Sequence, residues 1–447
     1  PEVQAMKWSI RLRPGRFFTV PEELRAPQES QHGDAVMEAF VKGRSGSVLG
    51  KGSILKMYFF PGQRTSSHIQ IHGAPHVYKV DQYSVYCMAT PTIAGAKEML
   101  KYLGANPKSK ASAARKVILT DLREEAVVYI KGTPFVLREL NKPYDTLKHV
   151  GITGPVVEHM EARLKEDIIA EIRQSGGLML FHREEYNPST SQSNVVGYWE
   201  NILVDDVKTT VEVYSALKDE GYDIVYRRIP LTRERDALAS DVDAIQCCKD
   251  EDTRGNSGIN IAVDTFHGHL SAESYLFVSH TGFGGVAYAM AIICIRLGAE
   301  ANFASTVPQP LLSPQQYAVT EENFPARASN EVALKMGDYR DILSLTRVLI
   351  HGPQSKADVD IVIDRCAGAG HLRDDILYYC KEFEKFTDGD DEERAYLMDM
   401  GIKALRSYLY CTSPSNMEFA AWMDARPELG HLFCNIHPLF PHPRSIP

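Results

Sequence analysis

The stretch from Tyr275 to Ile293 constrains this chain more than any other. Tyr275-Leu276-Phe277-Val278 reads as a short buried strand. It runs into Ser279-His280-Thr281-Gly282-Phe283-Gly284-Gly285 and then into an apolar helix from Val286 to Ile293. A glycine-rich turn between a strand and a helix N-terminus is the joint of an α/β layer. Its exposed backbone N–H groups bind anions. The glycines at 282, 284 and 285 lack the G-x-G-x-x-G spacing of a dinucleotide site, and no Lys-Ser/Thr follows as in a Walker loop. The competing reading is a strand–turn–helix junction with no ligand.

Around this joint, apolar periodicity predicts alternating strands and helices. Pro91 to Leu100 reads as a helix with proline near its first turn. Val117–Thr120 is a core strand. Ala126–Ile130 and Phe135–Leu137 form a hairpin about Lys131-Gly132-Thr133-Pro134. Met160, Leu164, Ile168 and Ile172 recur every four residues and give one helical face, with Pro155 at its start and Gly176-Gly177 at its end. Leu178–Phe181 is a buried strand, Val211, Val213, Tyr214 and Leu217 mark a helix ended by Gly221, and Ile224-Val225-Tyr226 is a further strand. The expected class is α/β, a mostly parallel sheet covered by helices. Residues 331–425 show helical periodicity only, which predicts a following all-helical segment. Residues 1–35 read as a polar connecting segment. The proline-rich stretch from Arg426 onward reads as disordered or loosely attached.

The chain of 447 residues carries a net charge of −9, which argues against non-specific nucleic-acid binding. No apolar stretch approaches the ~20 residues that span a bilayer. No signal peptide stands at the start, and opening on Pro1 points to a piece of a longer polypeptide. Eight cysteines without a C-x-x-C pair point to reduced, buried thiols and an intracellular, cytoplasmic setting. Cys247-Cys248 reads as packing. Asp388 to Glu393 reads as a solvated acidic run, because it lacks metal-ligand spacing. No cofactor and no metal is expected.

Several short motifs together resemble the paladin family: His72-Gly73-Ala74-Pro75, Ala89-Thr90-Pro91-Thr92-Ile93, Leu122-Arg123-Glu124-Glu125, Gly132 to Glu139, and Met160 to Ile168. Paladin and the PTP-like phytases share a cysteine-phosphatase fold that acts on inositol phosphates or phosphoinositides. The resemblance runs from about 40 to 425. It implies a linker over 1–39, a phosphatase-like domain over 40–325, a helical segment over 326–425 and a tail over 426–447. Paladin-like proteins carry tandem repeats, so neighbouring phosphatase repeats in a longer parent are implied partners.

The departures from the family's pattern carry the functional reading. The family's loop is Cys-x5-Arg followed by Thr or Ser. Here Ser279 stands for the cysteine, Gly285 for the arginine and Val286 for the hydroxyl residue. The general acid follows a Pro-x-Thr element. Pro230-Leu231-Thr232 matches that element, and Arg233 stands where Asp is expected. A serine hydroxyl at a helix N-terminus stays protonated where a cysteine becomes thiolate. Gly285 has no guanidinium to hold phosphoryl oxygens, and Arg233 has no proton to give at neutral pH.

No catalytic residue is therefore expected. The loop Ser279–Gly285 is expected to bind phosphate on an inositol phosphate, a phosphoinositide or a phosphoprotein. His280 and Arg233 could supply positive charge, while Phe283 stands where many family loops have a basic residue. Two alternatives are an active phosphatase or phytase using other groups, and an interaction module without ligand. Cys366 to Arg373 also carries cysteine, glycines and arginine, but its Cys-x6-Arg spacing is one residue too long. It fits the helical segment better, despite the strand-like Val359–Asp364. His182 and Trp199 read as structural. Arg123 with Glu124 and Glu125 reads as an ion pair or surface contact.

Overall fold

The computed structural model describes residues 32–58, 69–105, 115–147, 149, 151–187, 192–231, 239–246, 273–304, 335–339, 343, 346–347, 352–385 and 391–412. Its contacts divide the chain into two units. The first comprises Pro1–Val77, Met88–Thr232 and Val278–Thr281, and the second Tyr78–Cys87, Arg233–Phe277 and Gly282–Pro447. The class is mixed α/β, with sheets flanked by helices and a helical C-terminal segment. Among the described residues there are two sheets, of six and five strands.

In the first unit, α1 (His32–Lys42) leads into β1 (Ser53–Met57). Later come α2 (Ile93–Tyr102), β4 (Lys116–Asp121), β5 (Val127–Ile130), β6 (Thr133–Glu139) and α3 (Gly154–Gln174). They are followed by β7 (Leu178–Asn187), β8 (Gln192–Asn201), β9 (Val207–Thr209), α4 (Thr210–Asp219) and β10 (Ile224–Arg228). The six-stranded sheet has the order β8-β7-β1-β6-β5-β9. β1 pairs antiparallel with β6, Leu55 facing Leu137, and parallel with β7 at Lys56 and His182. β7 and β8 form a ten-residue antiparallel ladder from Leu178–Asn201 to Asn187–Gln192.

Local chemistry makes these elements. Lys131 and Gly132, with φ of 49° and 81°, are two successive left-handed residues. That is the two-residue hairpin geometry whose twist matches the strands it joins, β5 and β6. Thr92 caps α2, its Oγ1 accepting the Gly95 N–H at 3.0 Å. Thr209 and Glu212 form a capping box on α4. α3 ends where Gly176 and Gly177 turn to positive φ, and the Gly177 N–H returns to the Ile172 carbonyl at 2.8 Å. Its apolar stripe of Leu164, Ile168 and Ile172 lies in one core with Val128 and Ile130 of β5, Phe135 and Leu137 of β6, and Met179 and Phe181 of β7.

One acidic residue on α3 faces this interior. Glu161 is fully buried, and its carboxylate accepts from the Val127 N–H at 3.0 Å and the Thr210 hydroxyl at 3.0 Å. Arg228 Nη1 lies 2.8 Å from it. Burial raises its pKa, against the pull of Arg228 and the backbone donors. Arg228 also donates to Asp121 at 2.9 Å, which ties the ends of the parallel pair β4 and β10 to α3.

In the second unit, β2 (Tyr78–Lys79) pairs antiparallel with the start of β3 (Val85–Ala89). α5 (Ala239–Gln246), β11 (Glu273–Ser279) and α6 (Gly285–Ala304) follow, and then α7 (Gly352–Arg365), α8 (Leu372–Lys385) and α9 (Asp391–Thr412). Val286 to Cys294 of α6 are all buried, as expected of a helix enclosed on every side. The strand-like Val359–Asp364 is helical, within α7. Within the first unit, β4 and β10 run parallel, with Ile224 opposite Val117.

Three features differ from the sequence expectation. Residues 32–35 begin a helix and do not continue a linker. β8 pairs along β7 although Gln192–Asn201 carries few signals of its own. The alternation rule finds the parallel β4–β10 pair but misses the six-stranded sheet, whose hairpins make it mostly antiparallel. Cys247-Cys248, Asp388–Asp390 and the 426–447 tail lie outside the described residues. Among the described residues, Cys87, Cys294, Cys366, Cys380 and Cys411 are all buried. Among the described residues no helix is long and apolar enough to cross a membrane, and no group of three metal-ligating side chains occurs.

Candidate functional site

The strand–loop–helix joint forms as its residues require. Ser279 is the last residue of β11 and Gly285 the first of α6. Gly282 and Gly284 lie in the left-handed region, with φ of 76° and 81°, where a side chain would be strained. Ser279 and Thr281 are buried, at 8% and 5% exposure. Gly285, first in the helix, has no side chain to add to the loop.

On the first-unit side, the loop residue His280 meets a buried charge cluster. Glu125 accepts from Arg123 Nη2 at 2.5 Å and from Arg138 Nη1 at 2.8 Å, with all three side chains at most 6% exposed. The Arg123 guanidinium lies over the Tyr58 ring, 4.4 Å from its centroid, and donates to Thr90 Oγ1 at 2.7 Å. Burial opposes the Glu125 charge. Arg138, the nearby His280 ring and Arg123 outweigh it and hold the carboxyl well below the usual carboxylate range. The LREE motif is thus the seat of a buried ion pair and not a surface contact.

His280 Nδ1 is 3.4 Å from Glu125 Oε2, and its ring tilts against Tyr58 at 5.0 Å. Burial brings its pKa down to about 4. Glu125 pulls upward, and Arg123 and Arg138 push down. The same surroundings disfavour the positive charge that the sequence reading allowed to His280. Its Nδ1 is also turned toward a carboxylate.

The second-unit half of the loop is held through its backbone by one main-chain and one side-chain donor. The Gly284 N–H donates to the Ala369 carbonyl at 2.8 Å, and Cys87 Sγ lies 3.5 Å from the Gly282 carbonyl. Gly370 lies at φ 136°, which L side chains rarely adopt, and a Cβ on it would make a tight contact of 3.1 Å with Gly284 N. A Cβ on Gly368 would meet the Tyr78 ring at 2.2 Å. The glycines of the Cys366–Arg373 motif therefore serve close packing. Its Arg373 pairs with Asp364 and, at 3.4 Å, with Asp360, as in a helical scaffold.

Pro230 and Leu231 follow β10, and Leu231 N–H donates to the Leu122 carbonyl at 2.9 Å. Thr232 and Arg233 lie outside the described residues. His182 is buried in β7, and burial with the nearby Arg44 charge lowers its pKa to about 4. Trp199 of β8 packs edge-on against Phe40 at 5.0 Å.

Sequence reasoning missed His76 altogether. It sits at φ 56°, and its Nδ1 is 2.6 Å from the Thr281 carbonyl. A carbonyl only accepts, so Nδ1 carries the proton. Burial lowers the pKa of this ring, against the effect of the Thr281 hydrogen bond. The only trace in the sequence is its place one residue after His72-Gly73-Ala74-Pro75.

Among solved structures, the chain is similar to the PTP-like myo-inositol phosphatase of Mitsuokella multacida in complex with myo-inositol-(1,3,4,5)-tetrakisphosphate, at 12% identity and a TM-score of 0.38. The match covers 86% of this chain and 47% of that one. The tandemly repeated protein tyrosine phosphatase-like phytase of the same organism matches with the same values. A PTP-like phytase from Bdellovibrio bacteriovorus matches at 13% identity and a TM-score of 0.35, covering 82% of this chain and 99% of that one. The chain thus spans about half the length of the Mitsuokella proteins. No curated protein matches it. Residues 120–297, from the end of β4 through the loop and into α6, match the family model of the PTP-like phytases, whose description names inositol hexakisphosphate.

Proposed function

We propose that this chain is a paladin-like phosphatase domain that has lost turnover and binds a phosphorylated ligand, an inositol phosphate in the first instance. The observation that carries the reading is the pair Ser279 and Gly285, which occupy the two ends of a strand–loop–helix joint where the family pattern has cysteine and arginine. A serine hydroxyl there has no depressed pKa to make it a nucleophile. His280, the adjacent ring, is directed to Glu125. The Gly284 N–H is given to the Ala369 carbonyl, and the backbone polarity that attracts anions is that of the helix N-terminus. The match of residues 120–297 to the phytase family supports inositol phosphate over phosphoinositide or phosphoprotein as first ligand. In a longer parent, the domain would also support active repeats beside it.

The test is phosphorus NMR of inositol hexakisphosphate with concentrated protein, followed overnight. The expected result is line broadening of the intact ligand with no growing inorganic phosphate peak. A phosphate peak that disappears in Ser279→Ala would establish catalysis and overturn the reading. Sharp, unchanged lines would favour an interaction module without ligand.

A further inference from the structure

We infer that His76 is the positioning residue of the loop: its imidazole holds the Thr281 carbonyl and so sets the plane of the Thr281–Gly282 peptide. The hydrogen bond is short, 2.6 Å from Nδ1 to the carbonyl oxygen. The residue that makes it adopts φ 56°, an uncommon conformation outside glycine and one in which Asn, Asp and His are enriched. Such strain persists where the surrounding structure demands it, and it gathers at functional loops.

The base under His76 is rigid. The Thr92 N–H donates to the Gly73 carbonyl at 2.8 Å, and the Ala74 N–H to Ile71 at 3.1 Å. A Cβ on Gly73 would lie 2.4 Å from Thr92 Oγ1, and one on Gly95 would lie 2.1 Å from Gly73 C. The 71–76 turn is therefore seated on the start of α2, and the imidazole projects from a fixed platform.

The consequence follows from peptide geometry. In a trans peptide the C=O and the next N–H point in opposite directions. Holding the Thr281 carbonyl thereby directs the Gly282 N–H. The next plane is engaged the same way, with the Cys87 thiol donating to the Gly282 carbonyl at 3.5 Å. Gly282, at φ 76°, lets the two planes turn in succession. Successive oriented N–H groups are what an anion-binding concavity requires.

Only the ligand half of the test rests on the proposed function. His76→Gly removes the imidazole and also relieves the backbone strain, so the fold is retained. His76→Asn places a side-chain N–H at the position of Nδ1 and tolerates the left-handed backbone. In glycine-labelled protein, the Gly282 amide resonance should move in His76→Gly and return in His76→Asn. The melting temperature of His76→Gly should stay within about 2 °C of wild type. Its affinity for inositol hexakisphosphate, by calorimetry, should fall about threefold to tenfold, the worth of one hydrogen bond, and recover in His76→Asn.

A Gly282 resonance unmoved in His76→Gly overturns the inference. So does an Asn variant that leaves the Gly282 resonance where His76→Gly puts it, since a side-chain N–H at this position would then not set the peptide plane. Wild-type protein that does not bind inositol hexakisphosphate overturns the ligand reading alone, and the Gly282 resonance still decides the role of His76.

Discussion

Glu125 is the residue on which the ground beneath the loop depends. It is one carboxylate between two buried guanidiniums. Removing one partner of a buried ion pair leaves charge without compensation, which costs about 3–5 kcal/mol. Glu125→Gln should therefore lower unfolding free energy by about that amount in urea titrations, whereas Glu185→Gln, on an exposed pair with Arg183, should change it by less than about 1 kcal/mol. His280 and His182 make a second prediction. Both have folded pKa values depressed from 6.5 to about 4. The unfolded chain binds more protons between those values, so stability is present above about pH 6.5 and declines as pH falls toward 4. Each histidine contributes a slope of at most about 1.4 kcal/mol per pH unit. His280→Asn should flatten the fall of melting temperature between pH 6.5 and 4.5, and an unchanged slope would refute the assignment.

Among the elements, α3 was the most legible in sequence and is energetically central. Its four-residue apolar recurrence, Pro155 and the closing glycines each correspond to a feature of the helix. Leu164 is fully buried in the core of the six-stranded sheet. Leu164→Ala should cost about 2–5 kcal/mol by calorimetry or denaturant titration, from lost transfer energy and the cavity left behind. β8 was not legible, because Gln192–Asn201 alternates weakly and is made a strand by its partner β7. The hairpin between β5 and β6 needed no partner to be seen, since Lys131-Gly132 is a local turn signal.

At the scale of the whole chain, the proposed loss of turnover is distributed over distant positions. Ser279→Cys with Gly285→Arg and Arg233→Asp restores the family pattern at all three. Groups that act together lose activity non-additively. The single and double variants should stay at background in a phosphate-release assay with inositol hexakisphosphate. Only the triple variant is expected to rise above it, and release by Ser279→Cys alone would contradict this.

What the amino-acid order determined by itself is what depends on near neighbours. It determined the strand–glycine–helix joint at 275–293 and the helical character of the segment that holds α7, α8 and α9. Tertiary structure alone decided the rest. It disfavours charge on His280, because burial and the neighbouring Arg123 and Arg138 outweigh the pull of Glu125. It gave the Cys366–Gly370 glycines a packing role against Gly284 and Tyr78. And it brought His76 to Thr281 across 205 positions of chain. Such contacts follow from three-dimensional packing, and no local periodicity encodes them.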